Sequence, residues 1–130
     1  MNSDIKNRAD IDLLIRTFYN KLLADEKISY LFTEVAKIDL VPHLDIISSF
    51  WEGILFQTGN YHRNAMAPHL VLHRKSPLTR AHFKIWLHHL YDALDELFAG
   101  KNADIVKMRA KAIAEIMQMK TEMMSGFESH

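Results

Sequence analysis

Apolar residues recur along most of the chain with the spacing of a helix face. Near the start, the positions i, i+3, i+4, i+7 and i+11 are occupied by Ile11, Leu14, Ile15, Phe18 and Leu22. Side chains at these positions share one side of a helix with about 3.6 residues per turn. A charged run at residues 25–27 interrupts the pattern, and a short helical turn is predicted around residues 30–32.

A second long helix is predicted to begin near Asp39. Its carboxylate can cap free backbone N–H groups, and Pro42 is tolerated in a first turn. We expect Gly59 and Asn60 to end this helix, inside an irregular stretch over residues 57–67. The apolar stripe of the helix includes one histidine and consists of His43, Ile47, Phe50 and Ile54, widened by Trp51 and Leu55.

The second half of the chain is predicted to hold one short helical piece, at residues 68–73, and two further helices. Ser76 as cap and Pro77 as first helical residue begin the next helix, and Gly100 closes it. Asn102 is expected to cap the last helix. The predicted core stripes of these two helices are Phe83, Trp86, Leu87, Leu90, Leu94 and Leu97, and then Ile105, Met108, Ala112, Ile116, Met119 and Met123.

These elements predict an all-α protein with three long helices and several short ones, the last ending near Gly126. No convincing strand, repeat or low-complexity segment interrupts them. A chain of 130 residues falls within the usual domain size of about 100–200 residues. We therefore expect residues 1–130 to form a single domain.

Composition narrows the classes of function. Sixteen basic residues balance sixteen acidic ones, which argues against an electrostatic binder of nucleic acid. Cysteine is absent, which removes disulfides, thiol catalysis and iron–sulfur clusters. The N-terminal residues show no signal peptide, and no stretch reaches the about 18 apolar residues of a spanning helix. We therefore expect a cytoplasmic protein without membrane insertion.

Eight histidines are an unusual number for this length. His69 follows a proline in a short helix, where a neutral imidazole can project into a cavity as a haem-iron ligand does. His43 lies on an apolar stripe, where a polar ring needs a partner. The hydroxyl of Tyr19 and the indole N–H of Trp86 also need partners if buried. Each of the four has a simpler interpretation as an ordinary core or surface residue.

Two histidines at i and i+4, His69 and His73, have a spacing that allows zinc chelation. No glutamate follows His69, so the zinc-protease pattern fails. We interpret His82, His88 and His89 as mostly solvated, along with acidic pairs such as residues 25–26. Zinc binding stays open as an alternative at this stage.

Taken together, the aromatic and histidine positions resemble the group III truncated haemoglobins. The resemblance runs from about residue 8 to residue 125, and its most specific part is the segment from His43 to Gly53. The residues that carry it are Phe18-Tyr19, His43, Phe50-Trp51-Glu52-Gly53, His69-Leu70 and Ile85-Trp86-Leu87. The resemblance implies a globin-like, two-over-two helical sandwich that encloses one haem b.

The same resemblance implies roles for particular residues. His69 matches the proximal iron ligand, and Tyr19, His43 and Trp86 match the polar residues on the distal side. The haem pocket is expected to include Phe18, Phe32, Ile47, Phe50, Trp51, Leu72, His73, Phe83, Leu90 and Ile116. After His69 the family often has a proline-containing loop, whereas this chain has His73-Arg74-Lys75-Ser76 before Pro77. The candidates for the haem propionates are Arg74, Lys75 and His62.

The function expected from these residues is binding of oxygen, nitric oxide or another small ligand at a histidine-ligated haem iron. Redox chemistry on nitric oxide or peroxide would need an external reductase, and enzymatic turnover stays open. Three alternatives remain: a haem-based sensor, a zinc-binding helical protein, and an interaction domain that has lost haem.

Overall fold

The computed structural model of the protein describes residues 2–57 and 66–128, and all of its regular elements are helices. This confirms the all-α prediction. Four of the described helices have 17 or more residues, one more than the three long helices expected. The elements are α1 (Arg8–Ala24), a π-helical turn (Leu31–Val35), α2 (Leu40–Phe56), α3 (Met66–Lys75), α4 (Arg80–Leu97) and α5 (Lys101–Glu128).

The long helices pack as two layers. Helix α1 packs on α2, α4 packs on α5, and the two pairs meet through contacts of α1 with α4 and of α2 with α5. The predicted apolar face of α1 is confirmed, because its five members are at most 2% exposed. Phe83, Leu90 and Leu94 on α4 are also buried, as predicted. No described helix is long and apolar enough to cross a membrane.

Arg8 ties the start of α1 to α2. Its guanidinium nitrogens lie 2.6 Å from Asp45 Oδ1, 3.1 Å from Glu52 Oε1 and 2.8 Å from Asp12 Oδ1. The Arg8 side chain is about one-third exposed, so each single pair contributes little to stability. Together they fix the relative position of two helices that carry Tyr19 and His43.

The predicted start of α4 is wrong by three residues. The helix begins after Thr79, whose Oγ1 accepts from the backbone N–H of His82 at 3.3 Å, while the N–H of Thr79 donates to His82 Nδ1 at 3.1 Å. This reciprocal pair is a capping box with histidine in place of the usual glutamate. Ser76 and Pro77 precede it in the connection from α3, where the N–H of Leu78 donates to His73 Nδ1.

Other predicted helix ends also differ from the structure. Asp39 does precede α2, but its side chain makes no capping hydrogen bond. Helix α2 ends at Phe56, with Gln57 in the left-handed conformation, and the predicted stop at residues 59–60 lies outside the described residues. Helix α5 continues past Gly126 to Glu128. Gly126 therefore does not end the helix, contrary to the prediction.

The N-terminal segment, not Asn102, caps α5. Asn102 lies inside the helix, and its backbone N–H and that of Ala103 donate to the two carboxylate oxygens of Asp4 at 2.8 and 3.0 Å. The Cβ of any residue at position 100 would lie within 2.9 Å of Asp4, and Gly100 itself has φ +139. The close approach of the Asp4 side chain to residue 100, together with the positive φ angle, therefore requires glycine at this position. Ile5, beside Asp4, is buried in the core.

We predict that Asp4→Ala lowers the free energy of unfolding by about 1 kcal/mol at neutral pH, the usual cost of losing a capping side chain. Burial opposes ionisation of Asp4, but hydrogen bonds from Asn102, Ala103 and Ile5 outweigh it and hold the pKa of the carboxyl below its ordinary value. Stability from this group is therefore present above the ordinary pKa of about 3.9 and is lost as the pH falls through the lowered one.

Urea unfolding of the wild type and Asp4→Ala between neutral and acidic pH measures this effect. Asp39→Ala is the matched control, since Asp39 precedes a helix without capping it, and it should cost clearly less. An equal loss for both variants, or a difference that persists below the pKa of Asp4, would contradict the capping role.

The predicted core stripe of α5 is wrong. Met108, Ile116, Met119 and Met123 are 63%, 48%, 52% and 54% exposed. The buried face consists instead of Ala103, Val106, Ala110, Ala114, Met117 and Thr121. Small side chains on this face let α5 approach α4 closely. The sequence pattern was misread because α5 carries two apolar stripes, and the one with larger side chains points outward.

Candidate functional site

An apolar cavity of about 330 Å³ lies between the helices, with walls from every element of the fold. Six of its lining side chains carry polar nitrogen or oxygen atoms: Tyr19, His43, Trp51, His69, His82 and Trp86. The remaining lining residues are Phe18, Ile28, Leu31, Phe32, Ala36, Ile38, Ile47, Phe50, Pro68, Leu72, Leu78, Phe83, Ile113, Ala114 and Met117. The cavity is therefore a mostly apolar slot with a few polar side chains at fixed positions, the usual form of a cofactor site.

Tyr19 and His43 form a hydrogen-bonded pair at one wall, with 2.8 Å between the hydroxyl and Nε2. Burial raises the pKa of the Tyr19 phenol, so the hydroxyl keeps its proton at neutral pH. Burial, and then the nearby His69, lower the pKa of His43, so its ring is neutral. The pair therefore presents uncharged hydrogen-bonding groups to the cavity.

Aromatic neighbours hold these groups in place. Phe18 meets Tyr19 edge to face with ring centroids 5.4 Å apart, and meets Trp86 in the same way at 5.7 Å. Phe32, from the π-helical turn, packs edge-on against Tyr19 at 5.6 Å. Rings fixed in this way have little rotamer freedom, so the Tyr19 hydroxyl points into the cavity without further ordering.

His69 reaches the cavity from the first turn of α3. It is partly buried, and Pro68 beside it and Leu72 one turn later line the same cavity. A proline in a first turn is compatible with the helix and stiffens it. The imidazole therefore stands on a rigid support among apolar side chains.

His73 is placed differently from His69. It is 5% exposed, does not line the cavity, and its Nδ1 accepts from the N–H of Leu78 at 2.9 Å. This hydrogen bond occupies Nδ1 of His73, which is the second of the two histidines that the zinc hypothesis needs as ligands. Among the described residues, no group of three or more His, Cys, Asp or Glu side chains is arranged to hold a metal ion.

His82 lines the cavity, although it was predicted to be mostly solvated. Its Nδ1 accepts from Thr79, so in the neutral ring Nε2 carries the proton, and it lies 3.0 Å from the hydroxyl of Tyr30. Burial lowers the pKa of His82. The signal that was missed is a threonine three residues before the histidine, which is the spacing of a capping box.

The prediction that Asp25 and His89 are solvated surface residues is also wrong. His89 Nε2 lies 2.7 Å from Asp25 Oδ2, and both side chains are largely buried. The hydrogen bond from His89 holds the pKa of the Asp25 carboxyl below its ordinary value. His88 is exposed as predicted.

Most of the predicted pocket residues line the cavity. Leu90 and His73 are buried but lie outside its lining, and the prediction for Ile116 is wrong, since it is half exposed on the outer side of α5. Ile113 and Met117 occupy the place expected for Ile116. Arg74 and Lys75 are exposed at the end of α3, and His62 lies outside the described residues. The predicted members that do line it are Phe18, Phe32, Ile47, Phe50, Trp51, Leu72 and Phe83.

A two-layer helical cage around an apolar slot, with one supported imidazole and a partly buried tyrosine–histidine pair, has the architecture of a globin. The family model for bacterial-like globins matches residues 4–124. The chain belongs to the bacterial-like globin family, whose members bind haem and small ligands.

Individual relatives agree with this assignment, and the two described next are named as group III truncated haemoglobins. It is 26% identical over 121 residues to a group 3 truncated haemoglobin of Campylobacter jejuni, covering 91% of this chain and 93% of that protein. The crystal structure of a group III truncated haemoglobin from the same organism superposes with a TM-score of 0.80 at 25% identity. That match covers 93% of this chain and 95% of the other.

The residues of the cavity fit a haem. Haem is flat and largely hydrophobic, and the lining is mostly aliphatic and aromatic. A neutral imidazole is the common protein ligand of haem iron, and His69 lies in the cavity lining. The remaining polar groups are uncharged donors and acceptors, so none of them leaves a buried charge against the ring.

Proposed function

We propose that the chain binds haem b in this cavity with His69 as the protein ligand of the iron, and that the bound small ligand is oxygen or nitric oxide. One observation carries the proposal: a single apolar cavity contains both His69 and the Tyr19–His43 pair. The haem would supply the iron at which a diatomic ligand is held. The hydrogen bonds and apolar contacts around the ligand would come from side chains of this chain.

Tyr19 is the main hydrogen-bond donor in this proposal. Its hydroxyl keeps its proton because burial raises its pKa, and a diatomic ligand that gains negative charge is stabilised by a preorganised donor. His43 orients the hydroxyl through the 2.8 Å contact. The indole N–H of Trp86, held by Phe18, supplies a second donor.

The same arrangement favours retention of the ligand over rapid release. Several polar groups around one small ligand slow its dissociation and favour chemistry on it, such as oxidation of nitric oxide or turnover of peroxide. Electrons for such a cycle would come from a separate reductase. Steady-state consumption of nitric oxide with an added reductase and NADH checks this extension.

Cofactor analysis of the purified protein tests the proposal. The pyridine haemochrome spectrum identifies the haem type, and elemental analysis counts iron and zinc per chain. We expect haem b in the protein as purified, and one iron per chain after saturation with haemin. One zinc per chain without haem uptake would contradict the proposal and support the His69–His73 alternative.

A further inference from the structure

The outward face of α5 carries a continuous apolar stripe that the haem cavity does not use. We call it the outer stripe. Four of its members are large side chains that are about half exposed or more, and Ile116 among them lies away from the cavity lining. The outer stripe consists of Ile105, Met108, Ala112, Ile116, Met119 and Met123.

The outer stripe repeats every eleven residues. Positions 105, 108 and 112 recur eleven residues later at 116, 119 and 123, and the successive steps are three, four, four, three and four residues. An eleven-residue repeat has about 3.67 residues per turn, close to a straight helix, so the stripe runs along α5 without drifting around it. Over residues 105–123 its length is about 27 Å at 1.5 Å per residue.

Charged residues flank the outer stripe with the same repeat and with opposite signs. Asp104 and Glu115, eleven residues apart, lie on one flank together with Lys111, and Arg109 and Lys120, also eleven apart, lie on the other. All four residues of these two pairs are exposed. Within the parts of the chain that the structure describes, none of the four forms an ion pair.

This lack of partners contrasts with other acidic residues near α5. Asp95 is bound by Lys107, and Glu122, further along the acidic flank, is bound by Arg80 at 2.7 Å. The charges nearest the outer stripe are therefore the ones left unmatched inside the molecule.

A second copy of α5 complements this face in one orientation. When two such helices pair in parallel and in register, the acidic flank of each lies beside the basic flank of the other. Asp104 then meets Arg109 of the second copy, and Glu115 meets its Lys120, both at the i to i+5 spacing of charge pairs between parallel helices. An antiparallel pair places like charges together.

We propose that α5 pairs in parallel with α5 of a second copy of this chain, burying the outer stripe in a twofold dimer with the haem cavities on opposite sides. One narrow helix face buries less than the about 1,600 Å² of a standard interface. The dimer is therefore reversible and depends on protein concentration.

Sedimentation velocity of the haem-loaded full chain over a concentration series tests the dimer. We expect the wild type to dimerise and Met119→Lys to raise the dissociation constant at least tenfold. Val41→Lys is the matched control, since Val41 is 79% exposed but lies on α2, and it should behave as wild type. A wild type that stays monomeric throughout, or that instead sediments only with lipid vesicles, would overturn the proposal.

Charge exchange tests the flanks. The double variant Asp104→Arg/Glu115→Lys has two basic flanks, and Arg109→Glu/Lys120→Glu has two acidic ones. Each should dimerise more weakly than wild type, and an equimolar mixture should form a mixed dimer at low salt. Unchanged self-association of both variants would show that the flanks take no part.

The absence of cysteine from the chain makes the orientation testable. In a parallel, in-register pair, residue 108 of one copy lies beside residue 108 of the other. Met108→Cys should therefore form a disulfide-linked dimer under mild oxidation, whereas Val41→Cys should not. A dimer that sediments normally but does not crosslink through residue 108 would rule out the parallel arrangement.

Discussion

Replacing His69 with glycine is expected to abolish the absorption spectrum of a histidine-ligated haem while leaving the helical fold in place. His69 is partly buried at the start of α3, and its loss removes the imidazole without removing the apolar walls. The variant should still take up haem weakly, because most of the cavity is unchanged. Free imidazole added to the variant should restore the spectrum, since the space left by the side chain accepts it.

Two other histidines line the cavity and provide the controls. His43→Leu and His82→Gln change an imidazole in the same cavity, yet each should keep the ligated spectrum. Far-ultraviolet circular dichroism verifies that all three variants are folded. If His82→Gln lost the spectrum and His69→Gly kept it, the iron ligand would be His82 and the assignment of His69 would be wrong.

Replacing Tyr19 with phenylalanine is expected to speed oxygen dissociation by about 10- to 100-fold. A hydrogen bond to a charged partner is worth about 1.5–3 kcal/mol, and 1.4 kcal/mol corresponds to about a tenfold change. The ring and its contacts with Phe18 and Phe32 are kept, so the hydroxyl alone is removed. Stopped-flow measurement of oxygen release from the ferrous protein gives the rate.

The raised pKa of Tyr19 adds a second expectation. Because burial raises the pKa of the phenol above its ordinary value of about 10, the wild-type rate should stay nearly constant from about pH 7 to about pH 10, where an ordinary phenol would be half ionised. Phe50→Leu, a change elsewhere in the lining, is the control for altered shape. An unchanged rate in Tyr19→Phe would show that Trp86 or His43 is the main donor.

The sequence predicts the cavity better than the surfaces around it. Helix α1 was predicted correctly because most of its large apolar residues lie on its buried face, with Leu13 as the exposed exception. Tyr19 is also buried, next to Phe18 of that face. Helix α5 was misread because alanines fill its buried face while large side chains such as Ile116 and Met119 lie outside. Periodicity locates an apolar stripe, but it does not tell which of two stripes meets the core.

Long-range hydrogen bonds explain the remaining errors. Asp4 caps a helix that begins 97 residues later in the chain, and a local sequence pattern cannot predict a contact over that distance. His82 was assigned to solvent because its bonds with Thr79 and Tyr30 depend on the start of α4. Once the capping box is recognised, the placement of His82 at the cavity follows.

Titration of the cofactor-free wild-type protein with haemin, followed by absorption spectroscopy, tests whether the chain has one haem site. We expect a sharp Soret band that grows linearly and stops at one haem per chain, since the slot and His69 form one site. A broad band that grows without an endpoint, as haem gives on non-specific apolar surfaces, would contradict it.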